Sequence, residues 1–224
     1  MHYYYLLILA FTLSYPLFKS FETKIRFYKK WNALFPAIII SAALFIFWDI
    51  WFTKIGVWSF NTDYVLGIFI MGLPIEEWLF FFITPFSCVF IYEVLNYFVK
   101  KDVLKRFSLI ISTLLILYLI ATASLNLEKL HTSITYFGLA ITIMLHQFAL
   151  KSIYLPRFYL TWSVCMIPFL IVNGLLTSIP IITYSNLHIL NIRIYTIPIE
   201  DLFYGMLNIL IVISIYEFLK QRKK

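Results

Sequence analysis

Apolar runs separated by short basic clusters and two longer, mixed loops set the pattern of this chain. The runs cover 3–18, 32–52, 74–98, 107–125, 132–150, 156–176 and 198–219. Most reach the roughly 18 apolar residues that a hydrocarbon core requires of a crossing helix, so the pattern predicts seven transmembrane helices. The first run is short, but it has no basic start and no small-residue cleavage site. It reads as a retained helix and not as a signal peptide. Two connections, 53–73 and 177–197, are long and rich in aromatic and β-branched residues. Residues 189–195 partly alternate apolar and polar side chains, and Ser185-Asn186 offers a turn, with 57–65 in the matching place. Each loop is therefore predicted to fold as a small hairpin-like lid over one face of the bundle.

The basic residues give the bundle a direction. All of the 18 lysines and arginines except Lys54, Lys129 and Arg193 fall in the connections after the first, third, fifth and seventh spans. The positive-inside rule then places the N-terminus outside and the C-terminus in the cytoplasm. Juxtamembrane clustering also accounts for the net charge of +7 without a nucleic-acid partner. Composition agrees: 62% hydrophobic and 13% charged residues lie far from the roughly 25% charged of a soluble domain, so the class is all-α integral membrane protein.

Within this apolar chain one pattern of acids occurs twice. Pro74-Ile75-Glu76-Glu77 opens the third span and Pro198-Ile199-Glu200-Asp201 opens the seventh, each followed further on by Tyr-Glu, at Tyr92-Glu93 and Tyr216-Glu217. A constant offset of 124 residues also carries Asp49 to Asn173, Phe60 to Tyr184 and Phe80 to Tyr204. Residues 1–98 and 131–224 thus read as two three-helix repeats, with 99–130 holding a linker helix. An odd repeat joined by one helix keeps both copies parallel, so both acidic pairs fall at one depth near the outer end and can face one cavity.

Adjacent carboxyl groups in a dry pocket cannot both ionise easily, because like charge and lost hydration oppose it. Such a pair supplies a proton donor beside a base. The dull alternative, that each pair only complements a helix dipole, is worth about 0.3–1 kcal/mol per residue and does not explain the duplication or Asp49 inside another span. Trp78, Phe80, Phe203 and Tyr204 follow the acids and are candidates to contact an apolar substrate, since aromatic faces stabilise cations. Glu93 and Glu217 lie about 17 residues beyond, roughly 25 Å along a helix, and read as ion-pair partners of Lys100 and Lys101 or Lys220 and Arg222. Cys88 and Cys165 and the four histidines show no metal-ligand spacing, and no glycine-rich phosphate loop is present, so neither a metal nor a dinucleotide cofactor is expected.

With these motifs, including Trp78-Leu79-Phe80-Phe81-Phe82, the chain resembles the membrane lycopene cyclases of the heterodimeric or fused type. The resemblance implies proton-initiated closure of the linear ends of lycopene to β-rings, giving γ- or β-carotene without net redox change or bound flavin. Glu76 and Glu200 become the first candidates for acid and base, with Glu77 and Asp201 as partners and Asp49, Trp78, Phe80, Phe203 and Tyr204 around the substrate. The implied partners are a lipid-soluble carotenoid and membrane lipid, with room for association with other carotenoid-pathway enzymes. Two other readings fit parts of the pattern: a proton-coupled carrier of small solutes, and a cyclase of a different carotenoid. The carrier needs polar cavity walls, which the aromatic and aliphatic runs do not supply.

Overall fold

The apolar runs form helices, as their hydropathy requires, and a computed structural model describes residues 2–222. Lys223 and Lys224, counted with the C-terminal basic cluster, lie outside the described residues. The helices are α1 (Tyr4–Lys19), α2 (Trp31–Lys54), α3 (Ile75–Phe98), α4 (Ser108–Leu125), α5 (Leu130–Met144), α6 (Leu155–Ser178) and α7 (Ile199–Gln221). Five helical segments, Phe27–Lys54, Ile75–Phe98, Lys105–Leu125, Leu155–Ser178 and Ile199–Gln221, are long and apolar enough to cross a membrane. The protein is accordingly an α-helical membrane protein. Helix α1 has 16 residues, or about 24 Å at 1.5 Å per residue, which is short of a core of about 30 Å. Helix α5 has 15 residues and runs on through a π-helical turn, Leu145–Ala149.

The packing is crossed. Helices α1 and α3 pack together, as do α5 and α7, while α2 lies on α7 and α3 on α6. The linker helix α4 packs against α5. Gly138 of α5 allows the closest approach to α7, for a Cβ there would meet Leu207 at 3.3 Å. One continuous apolar core joins both halves and includes Phe45, Phe81, Leu139, Phe158, Leu210 and Tyr216.

The two long loops are ordered by short strands; the chain does turn at Ser185-Asn186, where the His188 N–H bonds the Ser185 carbonyl at 3.0 Å, but that turn closes no hairpin. Instead β1 (Trp58–Phe60) pairs antiparallel with β4 (Ile182–Tyr184), joining one loop to the other. Each loop has its own tight hairpin further along: β2 (Phe69–Ile70) with β3 (Leu73–Pro74), and β5 (Arg193–Ile194) with β6 (Ile197–Pro198). Their turns place Met71 and Tyr195 at φ 54° and 58°. The alternation in 189–195 was too short to show that its partner strand lies in the same loop and β4's in the other. Pro74 and Pro198 end these hairpins and sit immediately before α3 and α7, at φ −64° and −57°. That φ is already helical, so the chain passes from hairpin to helix without a residue between.

At the opposite end of the bundle, two tyrosine–glutamate contacts cross between halves. Tyr92 donates its hydroxyl to Glu217 (3.1 Å), and Tyr216 donates to Glu93 (2.6 Å). Lys220 bridges both acids at 2.8 and 3.0 Å, and Lys30 also pairs with Glu93. The ion-pair role expected of Glu93 and Glu217 is present, but for Glu93 the cations come from α7 and from the turn before α2, not from Lys100 and Lys101.

Candidate active site

The proline at the head of α3 and of α7 places two acids in the first helical turn, about 100° apart around the axis at 3.6 residues per turn. Neighbours so placed must point in different directions. The first of each pair turns to its own loop: Glu76 Oε1 accepts the Leu66 N–H at 2.7 Å, and Glu200 Oε1 accepts the Leu190 N–H at 2.7 Å. The residue after each bonded leucine, Gly67 or Asn191, has φ 80° or 61°, a left-handed turn that these two residue types tolerate. Thr132 of α5 adds a hydroxyl bond of 2.6 Å to Glu200. Both glutamates are fully buried, and Oε2 of each has no hydrogen-bond partner among the described residues.

The second acid of each pair faces inward. Glu77 and Asp201 both line a single cavity of about 400 Å³, and Asp49 of α2 lines it with them. Glu77 Oε2 accepts the Tyr5 hydroxyl of α1 at 2.5 Å. Asp201 accepts the Tyr184 hydroxyl at 2.7 Å and lies 3.3 Å from His131 Nε2 of α5. The other ring nitrogen of His131 is 3.2 Å from the Thr135 hydroxyl. Asp49 is buried, and its Oδ2 has no hydrogen-bond partner among the described residues. No lysine or arginine forms a salt bridge with any of the three among the described residues. Three carboxyl groups sharing one dry space repel one another when ionised. Loss of solvent and the adjacent Asp201 push the Tyr184 phenol up from its ordinary value, which keeps it a hydrogen-bond donor.

Aromatic rings enclose this end of the cavity. Tyr204 packs edge-on to Trp48 at 5.5 Å and lies 6.0 Å from Trp58, which in turn stands 5.2 Å from His131. From the acids the cavity runs down the bundle past Phe80 and Thr84 to Phe90. Glu77 and Phe90 are separated by about 20 Å of helix at 1.5 Å per residue. The walls are almost wholly apolar, apart from groups such as Asn173 and Asn208.

Of the residues singled out in the sequence, Asp49, Glu77, Phe80, Asp201 and Tyr204 meet at this cavity. Glu76 and Glu200 stand behind it, holding the loops. Trp78 donates its indole N–H to the Ile70 carbonyl at 3.3 Å and so clasps the β2–β3 hairpin. Phe203 turns away, packing at 4.7 Å on Tyr136 of α5 and at 5.7 Å on Tyr118 of α4. The residues that sequence reasoning missed are Tyr5, His131, Thr132 and Tyr184. Tyr184 had a signal, as the one hydroxyl-bearing ring opposite Phe60 in the repeat. Tyr5 and His131 each lie in the outermost turn of an apolar helix, at the depth of the acids, which was a weaker one. No group of three or more His, Cys, Asp or Glu is placed to hold a metal ion among the described residues.

A family model described as lycopene cyclase matches the chain over residues 2–95 and again over 128–219. No curated protein and no solved structure matches it.

Proposed function

The chain belongs to the lycopene cyclase family, a family of carotenoid cyclases, and on that premise we propose that it closes the linear ends of lycopene to β-rings by proton transfer from and to the carboxyl groups of Asp49, Glu77 and Asp201. The observation that carries this reading is the convergence of those three acids on one long apolar cavity. A substrate end lies against the acids with its polyene tail along the cavity. Asp49, which receives no hydrogen bond on Oδ2, delivers a proton to the terminal double bond. The tertiary cation is attacked by the next alkene, forming the ring bond and moving the cation into the ring. Glu77 or Asp201, both oriented by donors, then takes a ring proton and leaves the new double bond. The base gives that proton up to solvent and Asp49 is reprotonated from solvent between turnovers, so atoms and electrons balance and no redox cofactor is called for.

The rings of Trp58 and Tyr204 face the same space, and aromatic faces stabilise a cation most where water is excluded. Glu76, Glu200 and Trp78 act indirectly, by fixing the loops that keep water out. In this reading seven helices span the membrane, 1–98 and 131–224 act as two parallel repeats about the 99–130 linker, and the acids lie at the outer side with the C-terminus in the cytoplasm. The clusters of basic residues after α1, α3 and α5 support that orientation. Expression in cells that accumulate lycopene, followed by chromatography of the pigments, tests the proposal. Monocyclic or bicyclic carotene is expected; none from a membrane-inserted protein would refute it.

A further inference from the structure

Two repeats packed about one axis generate two equivalent clefts, one between α3 and α6 beside α1, the other between α7 and α2 beside α5. The first is hollow at the acids' end. Its wall includes Cys165, Phe169, Val172 and Gly205. The 124-residue offset places Ser41, Phe45, Trp48 and Phe81 at the matching positions of the second cleft. Ser41, Phe45 and Phe81 are almost completely buried. Phe45 stacks on Trp48 with ring centres 5.8 Å apart and lies 6.2 Å from Phe81. The decisive exchange is Gly205 for Phe81. A Cβ at Gly205 would already come within 3.1 Å of Trp162 and 3.4 Å of Phe169, so any larger side chain must displace these two rings, both of which line the cavity.

The flanking helices differ in the same sense. Helix α4 packs along α5, the helix beside the second cleft. Beside α1, its counterpart, an apolar groove of about 280 Å³ lies between α1 and α6 and shares Phe11, Ile171 and Val172 with the cavity. Phe11 and Ile171 are 73% and 53% exposed, which places the mouth of the cavity on the surface that meets lipid.

We infer that the α1–α6 seam is the single lateral mouth through which a substrate end reaches the acids, and that the protein therefore cyclises one end of a polyene per visit. This rests on the cyclase reading above. A cavity of this volume is in the class that holds a drug-sized ligand, about 300–1,000 Å³, and cannot enclose a long polyene with both its ends. The tail trails through the seam into lipid. To present its second end, the half-cyclised molecule must withdraw, turn over and return.

Purified protein in phospholipid vesicles loaded with excess lycopene gives the test, with carotenes separated at successive early times. Monocyclic product alone at the limit of zero time, with bicyclic product absent or appearing after a lag, is expected. Bicyclic product formed from the start, without lag, would overturn the inference. Absence of any ring product would instead defeat the cyclase reading beneath it. The variant Gly205→Phe, which copies Phe81, should slow ring formation at least tenfold in protein whose thermal unfolding shows it folded. Unchanged ring formation by folded Gly205→Phe would show that the cavity beside Gly205 is not the channel.

Discussion

The hydroxyl oxygens of Ser59 and Thr183 lie 2.8 Å apart, and the two residues are 124 positions apart in the sequence. They are therefore the same position in the two halves, meeting itself. The strand pairing around them obeys the same relation, with Trp58 opposite Tyr184 and Phe60 opposite Ile182. At the other end of the bundle Tyr92–Glu217 and Tyr216–Glu93 exchange partners in the same way. The same exchange between halves is seen where Glu77 and Asp201 line one cavity.

The two acids of each motif should separate by role. Glu77→Gln and Asp201→Asn keep the shape of the side chain but remove proton transfer, and each should lower the rate of ring formation about 100- to 10,000-fold. Glu76→Gln keeps an acceptor for the Leu66 N–H and should be mild. Glu76→Met leaves that N–H without an acceptor and should cost about 1–3 kcal/mol of stability. Product analysis together with thermal unfolding in detergent checks all four. Equal loss of activity in Glu76→Gln and Glu77→Gln, with both folded, would contradict the division.

Asp49 should be as sensitive as the paired acids. Asp49→Asn retains the size of the group and ends its service as a proton donor, so ring formation should fall by about 100-fold or more in protein that still accumulates in the membrane. Near-normal product from Asp49→Asn would return the donor role to Glu77 or Asp201.

Tyr5→Phe and Tyr184→Phe each remove one hydroxyl donor from a carboxyl group. A hydrogen bond to a charged group is worth about 1.5–3 kcal/mol, so each change should lower the rate about ten- to a hundredfold. The Tyr184 phenol is pushed up from its ordinary value by burial and by Asp201, so it stays protonated as pH rises. The alkaline limb of the pH–rate profile should then keep its position in Tyr184→Phe while its height falls. A shift of that limb would show that Tyr184 itself titrates in the working range.

The far end of the bundle should govern stability and leave chemistry alone. Glu93→Gln removes the charge between Lys30, Lys220 and Tyr216, takes away Lys30's ion pair and leaves Lys220 with Glu217. Breaking a buried pair from one side costs about 3–5 kcal/mol, which thermal unfolding would register as a large drop. Ring formation per folded molecule should be unchanged.

Deuterated water offers a direct view of the proton. A single deuterium per ring, at the carbon that receives the proton, is expected by mass spectrometry. Unlabelled rings would exclude proton-initiated closure.

Much of this protein is written in short-range pattern. Helix bounds follow from apolar runs because burial in lipid depends only on local composition, and α3, read as 74–98, begins within a residue of the structure. The acids and their duplication needed only the eye for a repeat. Tertiary structure decided which of two adjacent carboxyls faces the cavity, because a rotation of about 100° between neighbours has no meaning until the helix has a packing partner. It brought Tyr5 to Glu77 from 72 positions away and His131 to Asp201 from 70. It also made two nearly equal halves unequal, since Gly205 lines the cavity while its counterpart Phe81 is buried in the core. The sequence by itself determined a helical membrane protein with paired acids; packing alone determined that one acid of each pair shares a cavity with Asp49 while the other holds a loop.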